Sequence, residues 1–223
     1  MVIWFASGNK HKKNELADIL SDAMLGTAAV KIKIPADEGL AFDPEETGGS
    51  FLENALIKAA ALYRLLEVRN PAAGHLVIAD DSGICVDALG GRPGIYSARY
   101  AGLTPDKLSG TLTDAERNAL LLSELGDNPV RGARFVCAMV LYLGVDRFYA
   151  AQETLEGELV RDAESARGGG GFGYDPILYI PELRRTVAEL SNEEKNRLSH
   201  RAKAGRVIGK ILSGLDYQGM DLK

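Results

Sequence analysis

Four clusters in this sequence carry residue types suited to chemistry on phosphate groups. The first is Ser7, Gly8, Asn9, Lys10, His11 and Lys12, where a short apolar run gives way to a helical pattern. A helix start presents unsatisfied N–H groups and a partial positive charge. Gly8 lets a ligand approach the backbone closely, Ser7 and Asn9 add hydrogen bonds, and Lys12 adds a full charge. The competing reading is a solvated helix start with Asn9 as its N-cap, and this segment alone balances the two evenly. It is not the glycine-rich Walker pattern, which is absent. The second cluster is a carboxylate set, Glu45, Glu46, Glu53, Asp80 and Asp81. Mg²⁺ takes hard oxygen ligands, usually one or two carboxylates completed by substrate phosphates and water. Adjacent residues on an extended strand point to opposite faces, so one of Asp80 and Asp81 is expected to face a site directly. A polar turn competes with that reading for the aspartates, as does a helix-capping role for Glu53.

The third cluster is the glycine run 168–171, continued by Phe172, Gly173, Tyr174, Asp175 and Pro176. Five glycines among the six residues 168–173 permit an unusual backbone path, and leave Phe172 poorly shielded unless something stacks on it. A nucleobase fits that role; a flexible loop pinned by Phe172 in a core is the alternative. The fourth is Lys195, His200 and Arg201. On one straight helix Lys195 and His200 lie about 140° apart, so they converge only if the helix starts late or bends. Alone, this segment reads as a solvated basic face.

These clusters need elements to hold them. Residues 2–7 read as a short buried strand, followed after Gly8 by a helix through Leu16, Ile19 and Leu20. A weaker strand is expected at 30–34, then a loop over 35–49. Ser50 and Glu53 have capping-box spacing and predict a helix over 51–68. Residues 76–79 read as a strand ending in the Asp80–Asp81 pair, and 90–94 as a loop. Thr113 and Glu116 repeat the capping-box spacing and open a helix through Leu125. Residues 134–143 and 147–155 read as a long antiparallel hairpin. Ser191 and Glu194 give a third capping box, opening the C-terminal helix. Strands alternating with helices around one hairpin argue α/β with a mixed sheet.

Composition sets the outer limits. At 223 residues, 46% of them apolar and 26% charged, the chain suits one large domain or two close lobes with an ordinary soluble core. Its formal charge of −5 argues against nucleic acid as a partner. Cys85 and Cys137 sit in apolar runs and read as buried reduced thiols without zinc spacing. The N-terminus lacks the basic region of a signal peptide. No apolar run approaches the roughly 20 residues a membrane helix needs. A cytoplasmic protein with no membrane partner is the expectation.

Five strings then bring a family into view: SGNKHKKNEL at 7–16, EETGGSFLENALIKA at 45–59, ADDSGICVDALGGRPGIYSARYAG at 79–102, GGFGYDPILY at 170–179 and AELSNEEKNRLSHRAKA at 188–204. In this order they resemble the inosine triphosphatase family, the Ham1-like non-canonical purine NTP pyrophosphatases, over nearly the whole chain. The resemblance implies a single catalytic domain, residues 1–223. The fold it implies is an elongated α/β fold of two lobes around a central mixed sheet flanked by helices, with the active site in the cleft between lobes. It further implies a homodimer and Mg²⁺-dependent hydrolysis of ITP, dITP and XTP to monophosphate and pyrophosphate, which keeps deaminated purines out of nucleic acids. Residue by residue, Ser7, Gly8, Asn9, Lys10, His11 and Lys12 match the triphosphate-contacting motif. Glu46 matches the metal-binding glutamate and Asp81 the metal-linked catalytic acid–base. Ser82, Phe172, Gly173, Tyr174, Asp175, Lys195, His200 and Arg201 match substrate contacts. Lys195 and Arg201, with His200 assisting, would select the 6-keto group of inosine and xanthosine against the 6-amino group of adenosine. Two departures stand out: an unbroken GGGG at 168–171, and a stretch at 104–118 longer than usual. A Maf-like pyrophosphatase of other triphosphates is the rival enzyme, disfavoured by the SHR and FGYD strings. A non-catalytic nucleotide-binding regulator is the rival class, disfavoured by the presence of Asp81 and Glu46.

Overall fold

Alternation and capping signals translate into twelve α-helices and β-strands among the described residues of the computed structural model, which are 1–23, 30–71, 74–101, 112–169, 171 and 173–215. In chain order they are β1 (Val2–Phe5), α1 (Lys10–Ala23), β2 (Lys31–Lys33), α2 (Phe51–Arg69), β3 (Val77–Val86), α3 (Asp114–Leu125), β4 (Gly132–Gly144), β5 (Arg147–Leu159), β6 (Leu178–Ile180), β7 (Arg185–Thr186), α4 (Asn192–Leu198) and α5 (His200–Gly214). The strands form one sheet in the order β2-β1-β3-β4-β5-β6-β7. β2, β1 and β3 run parallel, whereas β5, β6 and β7 run antiparallel, so the sheet is mixed. The two-residue link at 145–146 joins neighbouring strands β4 and β5 as the expected hairpin.

The chain divides into two compact units. The first holds Met1–Asp81, Cys137–Glu153 and the chain from His200; the second holds Ser82–Val136 and Thr154–Ser199. In the first unit the two sheet faces bury different partners. Ile3, Phe5, Ile78, Met139 and Leu141 pack with Leu16 and Leu20 of α1 and with Ala204, Ile208 and Leu212 of α5. The intervening Val77, Ala79, Val140 and Tyr142 pack with Ala55, Ala59, Leu62 and Leu66 of α2. Strand period 2 and helix spacing of three and four thus meet in one three-layer stack. α1 and α5 approach closely because α5 carries Gly205 and Gly209. A Cβ on Gly209 would lie 2.6 Å from the Ala23 Cβ, and one on Gly205 2.7 Å from Ile19 Cγ2. The second unit has its own core, in which Ile84, Phe135, Leu155 and Leu159 surround Leu121, Leu122 and Leu125 of α3, with Tyr174, Ile177 and Leu178.

Four expectations need correction. The Asp80–Asp81 pair does not end its strand: β3 continues to Val86. Ser50 does cap α2, its Oγ accepting from the Glu53 N–H at 3.2 Å, but the Glu53 carboxylate accepts from Gly49 N–H at 2.6 Å, so the reciprocal half of that box is displaced by one residue. The Ser191–Glu194 box is complete, yet it opens only the short α4; Ser199 is extended and α5 starts afresh at His200. Of the two free thiols, Cys137 is buried but Cys85 is only half-buried. Burial pushes the Cys137 thiol up to about 12.

Candidate active site

β3 outruns its parallel neighbour. β1 stops alongside Ile78, so Asp80 and Asp81 lie just past the end of a parallel strand, where α/β sheets hold ligands. Alternation then separates them. Asp80 continues the face of Ile78, towards α1 and α5; Asp81 continues the face of Ala79, towards α2.

On the Asp80 side, α1 supplies Lys12 and α5 supplies Arg201. Lys12 Nζ lies 3.3 Å from Asp80 Oδ2, and Arg201 Nε lies 3.0 Å from the same oxygen. Arg201 Nη1 also reaches Glu15 Oε2 at 2.8 Å. Both Asp80 and Arg201 are buried. Burial alone would raise the Asp80 carboxyl, but the charges of Lys12, Arg201 and Lys58 outweigh it and hold the acid well below the ordinary carboxylate range. This aspartate is a permanent anion whose lone pairs are committed to two cations. Beside it, burial and the Arg201 charge push His200 well below its ordinary value, which makes it a neutral imidazole at pH 7.

The Asp81 side differs in sign. Asn54 and Lys58 are one helical turn apart on α2. Asn54 Nδ2 donates to Asp81 Oδ2 at 3.2 Å, and Lys58 Nζ donates to Asp81 Oδ1 at 3.1 Å and to Glu46 Oε1 at 3.2 Å. Burial raises the Asp81 carboxyl and is not cancelled by Lys58, while the Glu46 charge raises it further. Two neighbouring aspartates are therefore tuned apart, one locked as an anion and the other readier to accept a proton. Such a pair of opposed environments is a recurring mark of acid–base sites.

Glu46 and Asp81 already converge on one cation, the Lys58 ammonium. Among the described residues no three His, Cys, Asp or Glu side chains gather around one point. A two-carboxylate set does not make an all-protein cage, but it fits Mg²⁺, which leaves most of its positions to phosphates and water.

The remaining sequence candidates fall as follows. Asn9 caps α1, its Oδ1 accepting from the His11 N–H at 2.8 Å and the Lys12 N–H at 3.2 Å, while Ser7 Oγ accepts from Asn9 N–H at 3.2 Å. The capping alternative is thus realised. Gly8, Lys10 and His11 are exposed, and Gly8 has open space where a Cβ would stand. Ser82, Gly173, Tyr174, Asp175 and Lys195 belong to the second unit. There Lys195 Nζ lies 3.0 Å from Asp175 Oδ2. A Cβ on Gly171 would fall 2.0 Å from that carboxylate oxygen, so the glycine makes room for the ion pair. Asp114 Oδ2 accepts from Gly173 N–H at 2.8 Å, Asn118 Nδ2 donates to the Gly173 carbonyl at 3.1 Å, and Tyr174 OH donates to the Ser97 carbonyl at 2.8 Å. The Tyr174 ring is a core group rather than a surface one. Phe172 and most of the long stretch at 104–118 lie outside the described residues. The break at Ser199 puts Lys195 on α4 and His200 and Arg201 on α5, so the three do not share one straight helix.

Sequence reasoning missed Glu15, Asn54, Lys58, Asp114 and Asn118. A signal existed for Asn54. It occupies the buried stripe of α2 with Ala55, Ala59 and Leu62, and a polar residue in an apolar stripe needs a partner. Lys58 follows it at i+4.

Residues 3–210 match the Ham1 family. The chain is 46% identical over 214 residues to a dITP/XTP pyrophosphatase of Treponema denticola, covering 96% of this chain and 100% of that protein. It is 46% identical over 204 residues to a dITP/XTP pyrophosphatase of Geobacillus kaustophilus, covering 91% of this chain and 89% of that protein. Among solved structures, a HAM1 protein from Coxiella burnetii matches with a TM-score of 0.77 at 35% identity, over 96% of this chain and 100% of that chain.

Proposed function

From the premise that this chain belongs to the Ham1 family, we propose that it hydrolyses non-canonical purine nucleoside triphosphates, dITP, XTP and ITP, to the monophosphate and pyrophosphate. The observation that carries the reading is the Asp80–Asp81 pair, with one aspartate fixed as an anion between Lys12 and Arg201 and the other raised beside Lys58 and Glu46. In this reading Asp81 takes the proton of a water that attacks the α phosphorus. The new P–O bond forms as the bond to the bridging oxygen breaks, and pyrophosphate leaves with the electron pair. An aspartate of raised proton affinity suits that task better than one locked in ion pairs. Lys12 is the cation for the phosphates, and Asp80 holds its ammonium in place. Asn54 and Lys58 fix the Asp81 carboxylate. Mg²⁺, held by Glu46 and Asp81, would supply charge neutralisation on the phosphate oxygens.

Base recognition is proposed for Asp175 and Lys195, whose ion pair offers both an acceptor and a donor to a purine edge. A homodimer and a cytoplasmic setting complete the reading and rest on family resemblance. Among the described residues no helix is long and apolar enough to cross a membrane. The deciding experiment incubates dITP, XTP, ITP and ATP with the protein and Mg²⁺, and measures pyrophosphate and orthophosphate separately. Pyrophosphate from the first three is expected. Orthophosphate with a nucleoside diphosphate as first products refutes the proposal.

A further inference from the structure

The second unit contains a cavity of about 410 Å³ that none of the assigned residues touches. Its walls include three arginines, Arg161 just after β5, Arg167, and Arg184 in the β6–β7 turn. Ser165 and Thr186 add hydroxyls, and Glu189 is the one acidic group in the lining. That carboxylate faces the backbone: Glu189 Oε2 accepts from the Thr186 N–H at 2.7 Å and lies 3.1 Å from the Thr186 hydroxyl.

The three guanidinium groups have no carboxylate within 4 Å among the described residues. This is notable in a chain with 31 acidic and 26 basic residues, where unpaired like charges could easily have been neutralised. Arg167 is held rather than free to swing, since its Nη1 donates to the carbonyls of Glu164 at 2.7 Å and Ala166 at 3.0 Å. Arg184 has a backbone φ of +53°, a left-handed conformation that glycine or asparagine adopts more readily. The turn fixes the conformation but gives no reason for the side chain. Facing the cavity does.

We propose that this cavity is a second anion site, which binds the phosphoryl groups of a small oligophosphate through Arg161, Arg167 and Arg184. Guanidinium groups offer forked donors that match phosphate oxygens, and a surplus of two positive charges over Glu189 asks for a multiply charged anion. The volume accommodates pyrophosphate alone or the phosphate end of a nucleotide. None of the lining residues is among those proposed for hydrolysis, so occupation of the cavity is tested separately from it.

The test is isothermal titration of the full chain, without divalent metal, using inorganic pyrophosphate in one arm and ADP in the other. The variant is the double substitution Arg161→Ala with Arg184→Ala; both side chains are exposed and neither belongs to the proposed catalytic group. Wild-type protein is expected to show a pyrophosphate site that the double variant loses or weakens at least ~10-fold, as expected for removing charged hydrogen bonds. Triphosphate hydrolysis by the variant should stay at the wild-type level. A response to pyrophosphate alone identifies free oligophosphate, and an equal response to ADP identifies a nucleotide's phosphate tail. Unchanged stoichiometry and affinity in both arms overturn the proposal. So does a double variant whose only change is oligomeric state by light scattering, which would assign the arginines to a protein contact.

Discussion

Replacing Asp80 by asparagine keeps the shape of the side chain and removes its charge. Arg201 is 3% exposed and would retain Glu15 as a charged partner, while Lys12 would lose its carboxylate. Breaking a buried ion pair by removing one partner costs about 3–5 kcal/mol, because the other charge stays buried. With a urea slope of about 2 kcal/mol per molar, the unfolding midpoint should fall by roughly 1.5–2.5 M. The neighbouring Asp81→Asn should behave otherwise. Its raised proton affinity means that the folded protein disfavours the Asp81 anion, a penalty absent below the unfolded value near 3.8 and present once pH exceeds the folded value. Removing the charge at pH 7 relieves that penalty, offset by Lys58 losing one of two acidic partners. A change within about 1 kcal/mol is expected. Trp4, the single tryptophan, lies in β1 of the same unit and reports the transition by fluorescence. The reasoning fails if the two variants unfold at the same urea concentration, or if Asp80→Asn shifts the midpoint by less than about 0.5 M.

Further outcomes concern activity and packing. Asp81→Asn should lower turnover on dITP by roughly 10²–10⁴, with Mg²⁺ saturating. Without divalent metal, the Asp81 carboxyl of the wild type should titrate above the ordinary aspartate value of 3.8 because it is buried, read by carboxyl NMR; a midpoint at or below 3.8 would remove its raised proton affinity. Lys58→Met deletes the cation shared by Asp81 and Glu46, so the same carboxyl should titrate at still higher pH, read by NMR side by side with metal-free wild type. Gly209→Leu drives a side chain into Ala23 and should cost about 1–3 kcal/mol in a urea titration, as overpacked interfaces do.

Much of this arrangement is legible in the amino-acid sequence. The helices at α2 and α3 follow from Ser50 and Thr113 with their partners at N3, because capping is a local interaction written within four residues. The long hairpin follows from β-rich runs around a two-residue turn. β6 and β7 were not legible, since three and two residues are too short to display a period. Adjacent aspartates and Gly83 disfavour strands, so the full length of β3 is not legible from its own residues. Long-range groups reverse that preference: Asn54 and Lys58 satisfy Asp81, Lys12 and Arg201 satisfy Asp80, and Gly83 leaves room for Ser97, whose Oγ would lie 2.4 Å from a Cβ there. The candidate site is legible in part. Asp81, Glu46 and Lys12 stood out by type and spacing. Lys58 and Asn54 did not, because their roles arise from partners 23 and 27 residues away.

The two aspartates also bear on how this gene can change. Their roles differ only through parity: one letter faces one layer and the next faces the other. A point mutation at either position damages one role and leaves its neighbour intact. Deleting a single codon within residues 77–79 would move both by one step: the first aspartate takes the place of Ala79, the second takes the place between Lys12 and Arg201, and Ser82 falls beside Lys58. No single substitution elsewhere restores both. This stretch should therefore accept amino-acid replacement far more readily than any change in length, and a library that samples single-codon deletions across β3 should return almost none that are active, even where both aspartates survive in the reading frame.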